Sequence, residues 1–173
     1  MEGVSENVSG SHKIEDVLEV LRDEIGRSKA ERSLPKVALL LVDIDNLERF
    51  NRWYGRNAGN KILETMAKIL TQLLKEGDIL VRFGGDEFLI LLRGITREEA
   101  KGKAREILEV IKGYEFEPNK LKLSVSIGIA YYFSFAFSPD EFLGCAVEAL
   151  RSAQKEAGIF KIFMEEEEWD ERK

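Results

Sequence analysis

One cysteine and one histidine occur in 173 residues, and each scarcity removes a class of chemistry. With Cys145 alone, no disulfide can form within the chain; flanked by Phe142, Leu143, Ala146 and Val147, it reads as a core residue. His12 lies in a polar N-terminal arm and is assigned a surface role rather than a metal-binding one. No apolar run approaches the ~20 residues that cross a bilayer, and no secretory leader is evident, so no membrane contact and a cytoplasmic location are expected. Positive charge is also in short supply. The 26 Lys and Arg fall below the 32 Asp and Glu, and the net charge of -6 argues against general nucleic-acid binding. A hydrophobic content of 44% is sufficient for one sizeable core, and the length favours a single domain. No internal repeat is visible.

Hydrophobic spacing gives the element order. A polar arm runs to about Ser11, and an amphipathic helix follows with Ile14, Val17, Leu18, Leu21 and Ile25 on one face. A strand is predicted at 36–43, helices near 46–54 and 58–75, a hairpin at 79–92 and a helix from Arg97 to Lys112 capped by Thr96. In the second predicted helix Ile62, Leu63, Met66, Ile69, Leu70 and Leu73 should face the core. A strand at 121–132, a helix opened by Ser138-Pro139-Asp140-Glu141 and ending near Gly158, and a strand at 159–163 complete the order βααββαβαβ. That order predicts an α+β fold with a central mixed sheet and helices on its faces. Residues 1–35 are read as arm and helix, 36–164 as the functional domain, and 165–173 as a charged, solvated tail.

Two acidic elements carry the chemistry. Gly84-Gly85-Asp86-Glu87 interrupts an apolar stretch from Leu80 to Leu92, and a Gly-Gly pair between β-rich runs signals a hairpin whose glycines can take positive φ. Acids directly after such a turn can hold a divalent cation against phosphate oxygens; the less favoured reading is an ordinary hairpin with solvated acids. Upstream, the continuous run Val37 to Val42 reads as a fully buried strand that ends in Asp43-Ile44-Asp45-Asn46. Asp43 is read as a metal ligand delivered at the strand exit, and Asp45 as the cap of the next helix.

These two elements, with Asn51, Tyr54, Gly55 and Gly59 between them and Ser124-Val125-Ser126-Ile127-Gly128-Ile129-Ala130 downstream, resemble the GGDEF family of diguanylate cyclases over roughly Lys36 to Phe163. The resemblance implies a palm-like fold related to adenylyl cyclases and polymerases, and condensation of two GTP molecules into cyclic di-GMP with Mg²⁺ or Mn²⁺. Two protomers would meet face to face, each holding one GTP. It further implies Asp43 and the carbonyl of Ile44 as metal ligands, Asp86 as ligand and activator of the attacking 3′-hydroxyl, and Glu87 in support of a second ion. Asn51 matches the position that reads the guanine edge, Gly84 and Gly85 leave room for the nucleotide, and Lys155 would grip the triphosphate. Arg82, just before the hairpin, either orients Asp86 or is an outward strand residue.

Several positions depart from the family pattern. Asn60 stands where the family usually has Asp; it either meets a purine edge, with one acceptor and one donor group, or caps a helix. Arg52 and Arg56 replace an acid and a histidine, Ile159 replaces a phosphate-gripping Arg, and the signature that opens the domain is missing. The product-inhibition motif reads Lys75-Glu76-Gly77-Asp78, and a lysine lacks the planar fork, so no inhibitory site is expected. Two alternatives to the diguanylate cyclase follow. One is a cyclase with altered base choice, such as ATP or a mixed pair; the other is a nucleotide-binding regulatory module without turnover. Tyr131 to Phe137 is aromatic on both parities, which fits either an exposed interface or a locally buried loop.

Overall fold

A computed structural model describes residues 12–132, 135 and 137–163. The elements in chain order are α1 (Ile14–Glu31), β1 (Val37–Ile44), α2 (Leu47–Tyr54), α3 (Arg56–Gln72), β2 (Ile79–Arg82), β3 (Glu87–Arg93), α4 (Arg97–Gly113), β4 (Val125–Tyr131), α5 (Pro139–Ala153) and β5 (Phe160–Ile162). From β1 onward this is the predicted order βααββαβαβ, and the architecture is α+β. The strands form one mixed sheet in the order β2-β3-β1-β4-β5. β1 pairs antiparallel with β3 and β4, and only β5 runs parallel to its neighbour.

The period-2 geometry of strands explains why β1 is apolar throughout. Ala38, Leu40, Val42 and Ile44 face a layer built from Leu47 and Phe50 of α2, Ile62, Met66 and Leu70 of α3, and Ala104, Ile107 and Ile111 of α4. Val37, Leu39 and Leu41 face the opposite layer, made by Val17, Leu21 and Ile25 of α1 with Phe142, Cys145, Ala146 and Leu150 of α5. With helices on both faces, every residue of β1 is buried. The core stripe expected on α3 is buried except for Leu73, which packs partly buried at its end. Cys145 is buried as expected.

Local signals set most boundaries. Thr96 and Ser138 each accept from the backbone N–H three residues on, and Glu99 and Glu141 close both capping boxes. Four boundaries differ from expectation. Asp45 is not a cap: α2 starts after Asn46, which sits at φ 60 without a side-chain cap bond. Asn60 is not a cap either, because α3 begins at Arg56 and Asn60 falls inside it. The last helix stops at Ala153, since Ala157 and Gly158 take positive φ and turn the chain into β5. β4 begins at Val125 rather than 121; Leu121 instead makes an isolated bridge with Phe116.

The described part of the aromatic stretch from Tyr132 on packs against α1 and α5, with Tyr132 buried and the others partly exposed. Tyr132 is buried, its hydroxyl donates to the Phe137 carbonyl at 2.8 Å, and Phe135 and Phe137 pack partly buried on the α1–α5 layer. Phe133, Ser134 and Ala136 lie outside the described residues, as do the arm to Ser11 and the tail from Met164.

At Gly128 helix α5 lies directly against the sheet. A Cβ there would stand 2.2 Å from the Leu150 backbone nitrogen and 2.4 Å from the Ala146 carbonyl oxygen. Backbone cannot yield as a side-chain tip can, so Gly128→Ala must lift α5 off β4. We expect a loss of about 1–3 kcal/mol in urea unfolding; an unchanged midpoint would contradict this packing.

Candidate active site

The buried strand and the hairpin deliver their acids to one end of the sheet. Asp43 pairs with Glu87 across β1 and β3, and the Ile44 N–H donates to the Asp86 carbonyl at 3.1 Å. Asp43, Ile44 and Asp86 line a single cleft of about 550 Å³ together with Asn46, Leu47, Glu48, Arg49, Arg52 and Trp53 from the start and outer face of α2. Asp43 and Asp86 therefore open onto the same space rather than onto opposite sides of the sheet. A neighbouring cleft of about 380 Å³ shares Asn46, Arg49 and Trp53, so α2 forms the ridge between the two. Trp53 is 68% exposed on that ridge, with the Arg49 guanidinium 4.6 Å from its ring centre.

The hairpin turn differs from expectation in its backbone. Neither Gly84 nor Gly85 adopts positive φ. A Cβ on Gly84 would stand 2.8 Å from the movable tip of Glu87, Oε2, and one on Gly85 would meet nothing within 4 Å. Arg82 braces the turn by donating from Nε to the Gly84 carbonyl at 2.8 Å and from its terminal nitrogen to the Gly85 carbonyl. Its guanidinium also lies 5.5 Å from the Phe88 ring centre. Arg82 thus contacts the carbonyls that precede Asp86, and it is neither a plain outward strand residue nor a direct partner of the Asp86 carboxylate. Burial lowers its pKa, and the Asp86 charge opposes that shift.

Electrostatics single out Asp43. Burial pushes its carboxyl up to about 7; donation from Gln154 opposes the shift, while the charges of Asp86, Glu87 and Asp45 add to it. Burial and Asp86 also raise Glu87. Asp45 is better provided for. Its carboxylate accepts from Ser124 Oγ at 2.5 Å, Ser126 Oγ at 2.6 Å and the Gly158 N–H at 2.9 Å. A strand-end Asp normally suggests a cap; here Ser126 of β4 and Ser124 just before that strand capture it, a pairing visible only once β4 lies beside β1.

The remaining sequence-predicted residues do not line the acid cleft. Asn51 turns its side-chain oxygen toward Gly59, where a Cβ would be 1.7 Å away, and that oxygen is buried without a hydrogen-bond partner. Asn60 and Lys155 are exposed. The C-terminal side chain that reaches the carboxylates is Gln154, whose Nε2 donates to Asp43 Oδ2 at 2.8 Å; sequence reading passed over it for the neighbouring lysine. Asp78, at the position of the inhibition motif, spends its oxygens on the backbone N–H groups of Lys75 and Arg93.

The donor set suits a hard divalent cation. Among the described residues no three His, Cys, Asp or Glu side chains form a ready-made cage. Mg²⁺, however, is ordinarily held by one or two carboxylates plus waters and substrate phosphates. A buried carboxylate forced up to about 7 by its surroundings is the group such a charge would relieve. The sign of the linkage is fixed. A folded-state pKa above the unfolded value gives stability that is full below about 4 and is lost as pH rises through about 7. In the metal-free protein, raising the pH from 5 to 8 should lower Tm by about 3 °C or more beyond the change in Asp43→Asn, as thermal melts in chelator would show. Parallel pH profiles for the two proteins would contradict the assignment.

Comparison with known proteins bears on the family and the fold. Diguanylate cyclase A of Treponema denticola is 31% identical over 98 residues, which cover 56% of this chain and 26% of that protein. The probable diguanylate cyclase DgcT of Escherichia coli is 28% identical over 144 residues, 81% of this chain and 32% of the relative. The chain thus spans less than a third of the length of these curated relatives. The GGDEF-only form of YfiN (TpbB) from Pseudomonas aeruginosa superposes with a TM-score of 0.83 at 23% identity, covering 97% of this chain and 99% of that one. Its fold is therefore the palm-like α+β fold expected from the motifs. The family described as "Diguanylate cyclase, GGDEF domain" matches residues 18–158, and the chain belongs to that GGDEF family.

Proposed function

We propose that this domain is a metal-dependent nucleotidyltransferase that condenses two GTP molecules into cyclic di-GMP. The observation that carries the reading is the shared cleft of Asp43, Ile44 and Asp86, where a buried strand end and a hairpin bring hard oxygen donors together. Mg²⁺ or Mn²⁺, when bound, would supply charge neutralisation at the phosphates. Asp43, the Ile44 carbonyl and Asp86 would hold it, and Glu87, across the strands from Asp43, would support a second ion.

The chain's own groups do the rest. Asp86 accepts the proton of the attacking 3′-hydroxyl. The new bond forms between that oxygen and the α-phosphorus of the second nucleotide, and the bond to pyrophosphate breaks; repetition with the roles exchanged closes the ring and releases a second pyrophosphate. With one nucleotide held per domain, as the family resemblance implies, the two nucleotides would meet when two protomers face each other as a homodimer. Arg82 keeps the Gly84 and Gly85 carbonyls, and so Asp86, in place. Asn51 and Asn60 are proposed to meet the base, and Lys155 the triphosphate.

A second reading draws on Asn60 and Ile159. An amide at Asn60 offers both a donor and an acceptor to a purine edge, which admits ATP or a mixed pair. Ile159, in place of a phosphate-gripping Arg, and the missing opening signature weaken the handling of a triphosphate, which suits a binding module without turnover.

Incubation with Mg²⁺ or Mn²⁺ and each nucleoside triphosphate, followed by mass analysis, should yield cyclic di-GMP from GTP. A different cyclic dinucleotide would establish altered base choice, and GTP binding without product would establish the regulatory module. Asp86→Ala should reduce product by about 10²-fold or more while the protein stays folded by circular dichroism; unchanged turnover would remove Asp86 from the mechanism.

A further inference from the structure

The turn after α5 is fastened to both acidic positions at the end of β1. Gln154, the residue that follows α5, donates from Nε2 to Asp43 Oδ2 at 2.8 Å. Four residues later the Gly158 N–H donates to Asp45 Oδ2 at 2.9 Å. Between them the chain reverses through positive φ at Ala157 and Gly158, and the Ile159 carbonyl accepts from the Ile127 N–H at 3.0 Å as β5 joins β4. One segment thereby ties β1, β4 and β5 together at the acid cleft.

The two acids are supplied unequally. Among the described residues Asp45 accepts from three donors and Asp43 from the Gln154 amide, and of the two it is Asp43 that lines the acid cleft. An amide differs from an ammonium in this place. It fixes one carboxylate oxygen by a hydrogen bond without adding a positive charge that would compete with a cation for the other. Carboxylates that hold metals are commonly oriented by such a partner, and removing the partner weakens metal binding by about 10–100-fold.

We propose that Gln154 is a positioning residue for Asp43: its side-chain amide sets the orientation in which that carboxylate holds the divalent cation, and the turn 154–158 is the latch that carries it. This rests on the proposed role of Asp43 as a cation-holding residue. The latch also gives a C-terminal segment, more than a hundred positions away in sequence, direct control over the geometry of the first acidic element.

Mn²⁺ titration of the whole chain with a non-hydrolysable GTP analogue, read by loss of the free-ion paramagnetic resonance signal, tests this without turnover. Gln154→Met keeps the length of the side chain and removes the donor; Gln154→Asn keeps the amide but falls one methylene short. Both should weaken Mn²⁺ binding about 10–100-fold, while melting curves in chelator show both folded. In the cyclase assay kcat at fixed Mn²⁺ should fall more than the KM for nucleotide changes. Wild-type Mn²⁺ affinity in both variants, with binding lost in Asp43→Ala, would overturn the positioning role and leave the cation reading standing. Full Mn²⁺ binding by Asp43→Ala would overturn both.

Discussion

Like charges forced together at the end of a buried strand are the constraint on which this structure turns. β1 must be buried on both faces to seat two helical layers, and it ends with Asp43 and Asp45 beside Asp86 and Glu87 of the adjoining hairpin. In a low-dielectric setting such a cluster is costly unless each carboxylate is hydrogen-bonded, neutralised or able to engage a cation. The fold uses different solutions at neighbouring positions. Ser124, Ser126 and Gly158 surround Asp45, so it serves as an internal clasp between β1, β4 and the final turn. Asp43 is left with its carboxyl raised to about 7 and facing a cleft. A nearby cation would relieve the cost of ionising a carboxylate in that setting.

The surrounding architecture can be understood as support for that cluster. Gly128 lets α5 lie directly on β4, which brings the end of α5 and its turn up to the acids. Arg82 spans the hairpin carbonyls and stacks toward Phe88, giving a turn without left-handed glycines a fixed shape. At the opposite end of β3, Glu24 of α1 joins the Arg93 guanidinium, and Asp78 accepts from the Arg93 backbone N–H, so helix, strand and the loop before β2 are pinned together.

Most of the fold was legible in the sequence because its elements carry strong local signals: an unbroken apolar run for β1, a stripe at helical spacing for α3, and capping boxes at Thr96 and Ser138. The acids at 43 and 86 were legible as candidates because strand ends and hairpin tips are predictable places. What stayed hidden depends on tertiary contact. Asp45 looks like a cap until β4 places two serine hydroxyls against it. Gln154 is an unremarked polar residue beside a lysine until α5 ends early and turns it toward Asp43. The Gly84–Gly85 pair suggests a left-handed turn, but neither glycine takes positive φ; the tip of Glu87 lies close to Gly84 and open space lies above Gly85.

The most direct measurement of the central idea, that β1 and the hairpin share one ion, is anomalous diffraction from crystals grown with Mn²⁺ and a GTP analogue. The account predicts a peak between residues 43 and 86, with a carboxylate oxygen of each at about 2.0–2.3 Å. A peak elsewhere, or coordination by one of the two residues without the other, would contradict it.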